Sequence, residues 1–65
     1  MSIAKVIEVI AEGDSIEKAM DNAVQEASKS IHGIKTVYTD SIQAIVKDGK
    51  ISSYRVNAKV TFVVD

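Results

Sequence analysis

The chain has 65 residues, a formal net charge of −1, 46% hydrophobic residues, one His, and no Cys, Pro or Trp. This length predicts one domain over residues 1–65, the absence of Cys excludes disulfides and thiolate metal sites, and a single His argues against structural zinc. The acidic and basic residues are interspersed without a basic block, and apolar runs reach at most three residues, which argues against nucleic-acid partners and membrane spans.

The first predicted element is a strand over residues 3–12. Branched apolar residues fall on both sides of its alternation, which predicts that both faces are at least half covered. Gly13 ends this strand. Asp14 and Ser15 are candidate N-cap residues, and Glu17 follows where a helix dipole favours negative charge, so a helix is expected to begin here.

A single amphipathic helix is predicted next, because apolar residues recur at intervals of three and four. These residues are Ile16, Ala19, Met20, Ala23, Val24, Ala27 and Ile31. The alanines of this stripe predict that the helix packs closely on its neighbour. Gly33 is the predicted C′ residue, in left-handed conformation, after the helix end.

Two further strands are predicted, over residues 34–46 and 51–64. The alternation of the first changes side near Asp40, which predicts a bend or bulge. Asp48 and Gly49 form a strong hairpin signal between the two strands. The second has an apolar face that includes Tyr54 and a polar face that includes Arg55. The element order is therefore β-α-β-β.

Catalytic patterns are weak in this sequence. His32 lies beside a predicted helix end, and no Ser stands in a readable Ser–His–Asp arrangement. Asp14, Glu17 and Asp21 supply too few converging oxygens for a tight calcium site in one chain, although symmetry can place one carboxylate per subunit on an axis. The pattern favours a binding or structural protein over an enzyme.

Self-association is the expected source of additional stability. A chain this short buries little apolar surface, and small domains supplement such a core with disulfides, metals or oligomerisation. The absence of Cys leaves oligomerisation as the first expectation. Because the opening residues lack a charged region followed by an apolar one, no secretory signal is predicted and we expect a cytoplasmic protein.

The chain resembles the dodecin family over essentially its whole length. The resemblance is carried by residues 4–10 with 13–15, 19–30, 48–51 and 54–62. It implies an α+β fold, a single β-α-β-β domain whose three-stranded antiparallel sheet is curled round one helix. It also implies a hollow homododecamer of cubic symmetry. Members of the family bind flavins in pairs near the threefold axes and are regarded as storage or scavenging proteins.

The residues that would bind flavin differ from the pattern of the flavin-binding dodecins. Those proteins stack the flavin on a Trp where this chain has Thr36, and hydrogen-bond its edge with a Gln where this chain has Arg55. Tyr38 is the nearest aromatic residue, on the same strand face and about 7 Å away. Without a stacking platform, and with a donor-only guanidinium, tight flavin binding is not expected.

Thr36 and Arg55 together resemble a dodecin subgroup that lacks the flavin-stacking Trp and is associated with metal ions, notably calcium. The predicted function is a homododecameric shell that binds or stores a small molecule or a divalent ion, with Thr36, Tyr38 and Arg55 as candidate ligand residues. The metal-binding residues stay unassigned. One alternative is an FMN or riboflavin storage dodecin that uses other pocket residues, and a second is a purely structural oligomeric scaffold.

Overall fold

The structure is a computed structural model that describes residues 3–64. Its elements are β1 (Ile3–Gly13), α1 (Ile16–Ser28), β2 (Ile34–Lys47) and β3 (Lys50–Val64). The α+β class and the β-α-β-β order are confirmed. Each strand begins and ends within one residue of its predicted boundary.

The sheet has the order β1-β3-β2, so β3 is the central strand and pairs antiparallel with both neighbours. The pairing with β1 runs from Val64 to Tyr54, which lies opposite Gly13. The pairing with β2 continues to Lys50, opposite Lys47. The end of the β2–β3 hairpin therefore extends beyond β1 as a two-stranded ribbon.

The turn and the irregularity predicted for this hairpin are both confirmed. Asp48 and Gly49 have φ values of 51° and 74°, as a tight two-residue hairpin turn requires. The register between β2 and β3 shifts between Thr39 and Ser41, so Asp40 has no partner in the pairing. The Thr39 hydroxyl closes this bulge by hydrogen bonds to the carbonyls of Ser41 and Asn57, at 2.8 and 2.9 Å.

Within residues 3–64, the buried core consists only of alanine and valine. Its six residues are Ala19, Ala23, Ala27, Val56, Ala58 and Val60. The three alanines form one stripe of α1, and the other three residues alternate along β3. Small side chains on both surfaces allow the helix to lie close to the sheet, but they also mean that the core holds little apolar area.

The helix begins where it was predicted and ends at Ser28, before the end of the predicted apolar stripe at Ile31. Ser15 is the N-cap, with its Oγ accepting from the Lys18 amide at 3.0 Å. At the other end, the amides of Ser30 and Ile31 both donate to the Ala27 carbonyl, which tightens the last turn. The prediction of Gly33 as C′ residue is wrong. Its φ of 79° serves the entry to β2, where its carbonyl accepts from the Val63 amide.

The prediction that both faces of β1 are covered is wrong within one chain. Ile7, Val9 and Ala11 are half-buried beneath α1. Val6 and Ile10 point to the other side of the strand and are 53% and 70% exposed. The single helix covers only one side of the sheet, so these branched side chains have no partner layer within the described residues 3–64.

Replacing Gly13 by Ala is expected to lower the free energy of unfolding by about 1–3 kcal/mol. A Cβ at this position would lie 2.6 Å from the amide nitrogen of Ala19 and 2.9 Å from the carbonyl carbon of Lys18. Both atoms belong to the helix backbone, so α1 would have to move away from β1. Urea unfolding measures the change, and a Gly13→Ala variant as stable as the wild type would contradict this packing.

Candidate functional site

The outer face of the sheet is defined as the face turned away from α1. It carries the hydrogen bonds and ion pairs between polar side chains of neighbouring strands. The residues on this face are identified from the alternation of β3, in which Val56, Ala58 and Val60 are buried under the helix. The intervening residues therefore point outward. On β3 they are Arg55, Asn57, Lys59 and Thr61.

Side-chain hydrogen bonds join β3 to both neighbouring strands across this face. The Arg55 guanidinium donates from Nε and Nη2 to Glu12 Oε2, at 3.0 and 2.8 Å. Asn57 Nδ2 donates to Glu8 Oε2 at 2.9 Å. On the other side of β3, Lys59 Nζ lies 3.0 Å from Asp40 Oδ2. The result is a polar band along the middle of the outer face.

The position of Asp40 explains its contact with Lys59. The bulge displaces this residue from the regular pairing of β2, and its carboxylate reaches across to the neighbouring strand. The hydrogen bond to Asp40, followed by the charge of that carboxylate, raises the pKa of Lys59 above its ordinary value. Lys59 therefore stays a cation throughout the neutral range.

A shallow pocket of about 200 Å³ lies in this polar band. It is lined by Ile10, Ser41, Gln43, Arg55 and Asn57. One apolar side chain from β1 thus faces a hydroxyl, two amides and a guanidinium from the other strands. The combination offers hydrogen-bond donors and acceptors to a small polar ligand, with one apolar contact.

The three predicted ligand residues share the outer face but do not meet within one chain. Arg55 lines the pocket, opposite Gln43 on β2. Tyr38 lies opposite Lys59, and Thr36 opposite Thr61. Four residues of strand separate Arg55 from the level of Tyr38, about 13 Å, and six separate it from the level of Thr36, about 20 Å. Within one chain, the three residues therefore do not form a single compact site.

Four pocket residues were absent from the sequence prediction. The alternation of β3 places Asn57 beside Arg55 on the polar side, so this residue was accessible to sequence reasoning. Ser41 and Gln43 face outward because the bulge at Asp40 reverses the facing of β2, and the change of side near Asp40 in the sequence was the signal that could have found them. Ile10 lies in the pocket only because β1 pairs with β3 in the observed register.

The lining of the pocket does not fit a stacked flavin. It contains no aromatic residue, and the nearest exposed aromatic side chain on this face belongs to Tyr38. Two guanidinium nitrogens of Arg55 are already bonded to Glu12. Over residues 3–64, no group of three or more His, Cys, Asp or Glu side chains is arranged to hold a metal ion, and no helix has the length and apolar character to cross a membrane.

Comparison with known proteins agrees with this fold. The Dodecin family model matches residues 3–65. An arginine-to-alanine variant of a Thermus thermophilus dodecin is 18% identical, with a TM-score of 0.90 over 100% of this chain and 98% of that one. A dodecin from Streptomyces davaonensis is 22% identical, with a TM-score of 0.87 over 98% and 96% of the two chains. No curated protein matches this chain.

Proposed function

The chain belongs to the dodecin family, and from this premise we propose that it assembles into a homododecameric hollow shell that binds a small polar molecule or an ion. In this proposal the protein binds and stores its ligand and catalyses no reaction. It does not bind flavin tightly.

The observation that carries the assembly is the surface of the single chain. A compact monomer of 7.0 kDa exposes about 4,000 Å², whereas this chain exposes 4625 Å² and extends over 51 × 20 × 13 Å. Its largest fully buried side chains are Val56 and Val60. Large hydrophobic side chains, by contrast, remain exposed on the helix, on all three strands and on both sides of the sheet. They are Ile3, Val6, Ile10, Ile16, Tyr38, Ile42, Val46, Ile51 and Val64.

These exposed side chains favour assembly over a soluble monomer. Extended apolar surface on a small protein marks an interaction surface. Both edge strands, β1 and β2, also have one side with no strand partner among the described residues, and proteins rarely leave long edges unprotected. Copies of the same chain would cover both features, which supports the shell proposed from the family.

The proposed ligand site is the pocket around Arg55. Its donors and amides favour a small polar molecule, and the carboxylates of Glu8 and Glu12 at its margin supply oxygen ligands that a divalent cation requires. One chain brings too few of these oxygens together, so an ion site would draw on neighbouring copies. Arg55 would then orient Glu12, because its guanidinium fixes that carboxylate.

Ligand titrations of the untreated protein test this assignment. We expect calcium to raise the melting temperature in a concentration-dependent manner, because an ion that binds only the folded state stabilises it. Riboflavin is expected to keep its fluorescence at micromolar protein. Magnesium serves as the matched control for a general ionic effect. An equal rise with both ions, or none with either, would contradict a calcium site.

A flavin-storing dodecin is the second candidate function. The observation that favours it is Tyr38, which is 49% exposed on the outer face and offers a ring for stacking. Quenching of riboflavin fluorescence that is lost in a Tyr38→Ala variant would establish this alternative. A protein that assembles and responds to neither flavin nor ions would favour the structural scaffold over both.

A further inference from the structure

The composition of the pocket around Arg55 is typical of a site for anions. A guanidinium matches the planar oxygens of a carboxylate or the oxygens of a phosphate, and Ser, Gln and Asn side chains add further donors. Arg55 is the only arginine of the chain, and of the five lining residues it alone carries a formal charge. The lining by itself therefore predicts a ligand with negative charge.

The hydrogen bonds of the pocket wall contradict this prediction. Nε and Nη2 of Arg55 form an edge at which a guanidinium can hold an anion with two donors. Both atoms donate to Glu12 Oε2, at 3.0 and 2.8 Å. Asn57 Nδ2 likewise donates to Glu8 Oε2, at 2.9 Å. Donors that could bind an anion are thus already directed to carboxylates of the protein itself.

These two carboxylates lie on either side of the pocket along β1. Glu8, Ile10 and Glu12 alternate along this strand and share the outer face, with Ile10 in the pocket lining between the two acids. An anion in the pocket would meet two negative charges and the single positive charge of Arg55. It would also have to displace Glu12 to reach the Nε edge of the guanidinium.

The fold holds the backbone of Glu12 in place beside Arg55. Glu12 lies directly opposite Arg55 in the pairing of β1 with β3. Its carbonyl accepts a hydrogen bond from Asn22 Nδ2 of the helix at 2.8 Å, and the next residue, Gly13, lies against the helix backbone at Ala19. Ion pairs between exposed side chains contribute little because both partners must be ordered. Here the end of β1 that carries Glu12 is already fixed to both the sheet and the helix.

We propose that Glu12 determines the charge specificity of the pocket: by occupying Arg55 it disfavours carboxylates and phosphates, and the pocket accepts an uncharged or cationic polar ligand. This inference rests on the proposed ligand site and names the class of ligand that enters it. The Ser41 hydroxyl, the Gln43 amide and Asn57 Oδ1 supply hydrogen bonds to such a ligand. The side chains of Arg55 and Glu12 are 45% and 51% exposed, so a ligand in the pocket can reach both.

Titration of a Glu12→Gln variant with inorganic phosphate tests this assignment. Because the chain has one arginine, protein grown with nitrogen-15 arginine gives a single side-chain Nε signal in NMR spectra, which reports contact at Arg55. In the wild type we expect phosphate to move this signal no more than sodium chloride does at equal ionic strength. In Glu12→Gln, which removes the charge and keeps the side-chain length, we expect a saturable shift and about 5-fold tighter binding of phosphate.

Glu8→Gln is the matched control. It removes the same charge from the same face of β1 and leaves Arg55 bonded to Glu12. Its affinity for phosphate is expected to stay within about 2-fold of the wild type, because salt screens the repulsion between exposed charges. Circular dichroism establishes that each variant retains helix and sheet. If either variant loses them, the pair is replaced by Glu12→Thr and Glu8→Thr, since Thr is favoured in strands.

The outcomes separate this inference from the proposed function. Saturable binding of phosphate at Arg55 in the wild type, or equal gains in the two variants, would overturn the role of Glu12. A gain in Glu12→Gln that leaves the Arg55 signal unmoved would also overturn it, because the phosphate would then bind elsewhere. Failure of the proposed assembly or of the calcium site would instead appear in the native mass or the melting temperature of the wild type, and the comparison between the two variants would be unchanged.

Discussion

Replacing Ala23 by Leu is expected to lower the free energy of unfolding by about 3 kcal/mol, at the upper end of the range for overpacked cores. Ala23 has no exposed surface and packs in a cluster with Ala19, Val56 and Ala58. Three additional carbon atoms at this seam would displace α1 from the sheet. Thermal and urea unfolding at fixed protein concentration measure the loss.

Lys18→Leu is the matched control for this helix substitution. It places the same side chain on the same helix at an exposed position, where it meets no packed neighbour. Its stability is expected to stay within about 0.5 kcal/mol of the wild type. Equal losses in the two variants would contradict the seam between the alanine stripe and β3.

Converting Thr36 to Trp together with Arg55 to Gln is expected to increase the affinity of the protein for flavin. The Trp supplies a stacking surface that the lining of the pocket around Arg55 lacks, and an aromatic platform contributes about 1–3 kcal/mol per stacked ring. The Gln replaces a donor-only group with an amide that both donates and accepts. Affinity for riboflavin is expected to rise by about 10–100-fold, as quenching of its fluorescence would report.

Thr36→Leu with Arg55→Gln is the control, because it adds apolar bulk without an aromatic ring. We expect it to gain no flavin affinity. If both double variants gained affinity equally, stacking would not be the missing contribution. If the Trp variant gained none while its assembly stayed intact, the correspondence of Thr36 and Arg55 to the family's ligand positions would be wrong.

Alternation and turn chemistry allowed most of the fold to be predicted. The apolar side of β3, the alanine stripe of α1 and the pair Asp48–Gly49 each fix one local feature, and the structure confirms all three. The helix end was mistaken at Gly33. A glycine favours left-handed backbone wherever it lies, and its identity alone does not tell a helix end from the entry to a strand.

The candidate site was less predictable because it depends on register. Arg55 was identified as unusual from its strand, but its pairing with Glu12 joins residues that are 43 positions apart in sequence. Ser41 and Gln43 enter the pocket through the bulge at Asp40. The sequence predicted this bulge and the change of side there, but not that these two residues lie opposite Asn57 and Arg55 in the paired sheet. Features that follow from neighbouring residues were therefore predicted, whereas those that need the paired sheet were not.

The native mass of the untreated protein tests the central claim most directly. Light scattering on the purified chain, with its absorbance spectrum recorded on the same sample, reports assembly and bound flavin together. Twelve chains of 7.0 kDa give about 84 kDa, and we expect that mass with no flavin absorbance in the visible range. A mass near that of one or two chains would contradict the shell, and a yellow dodecamer would contradict the absence of tight flavin binding.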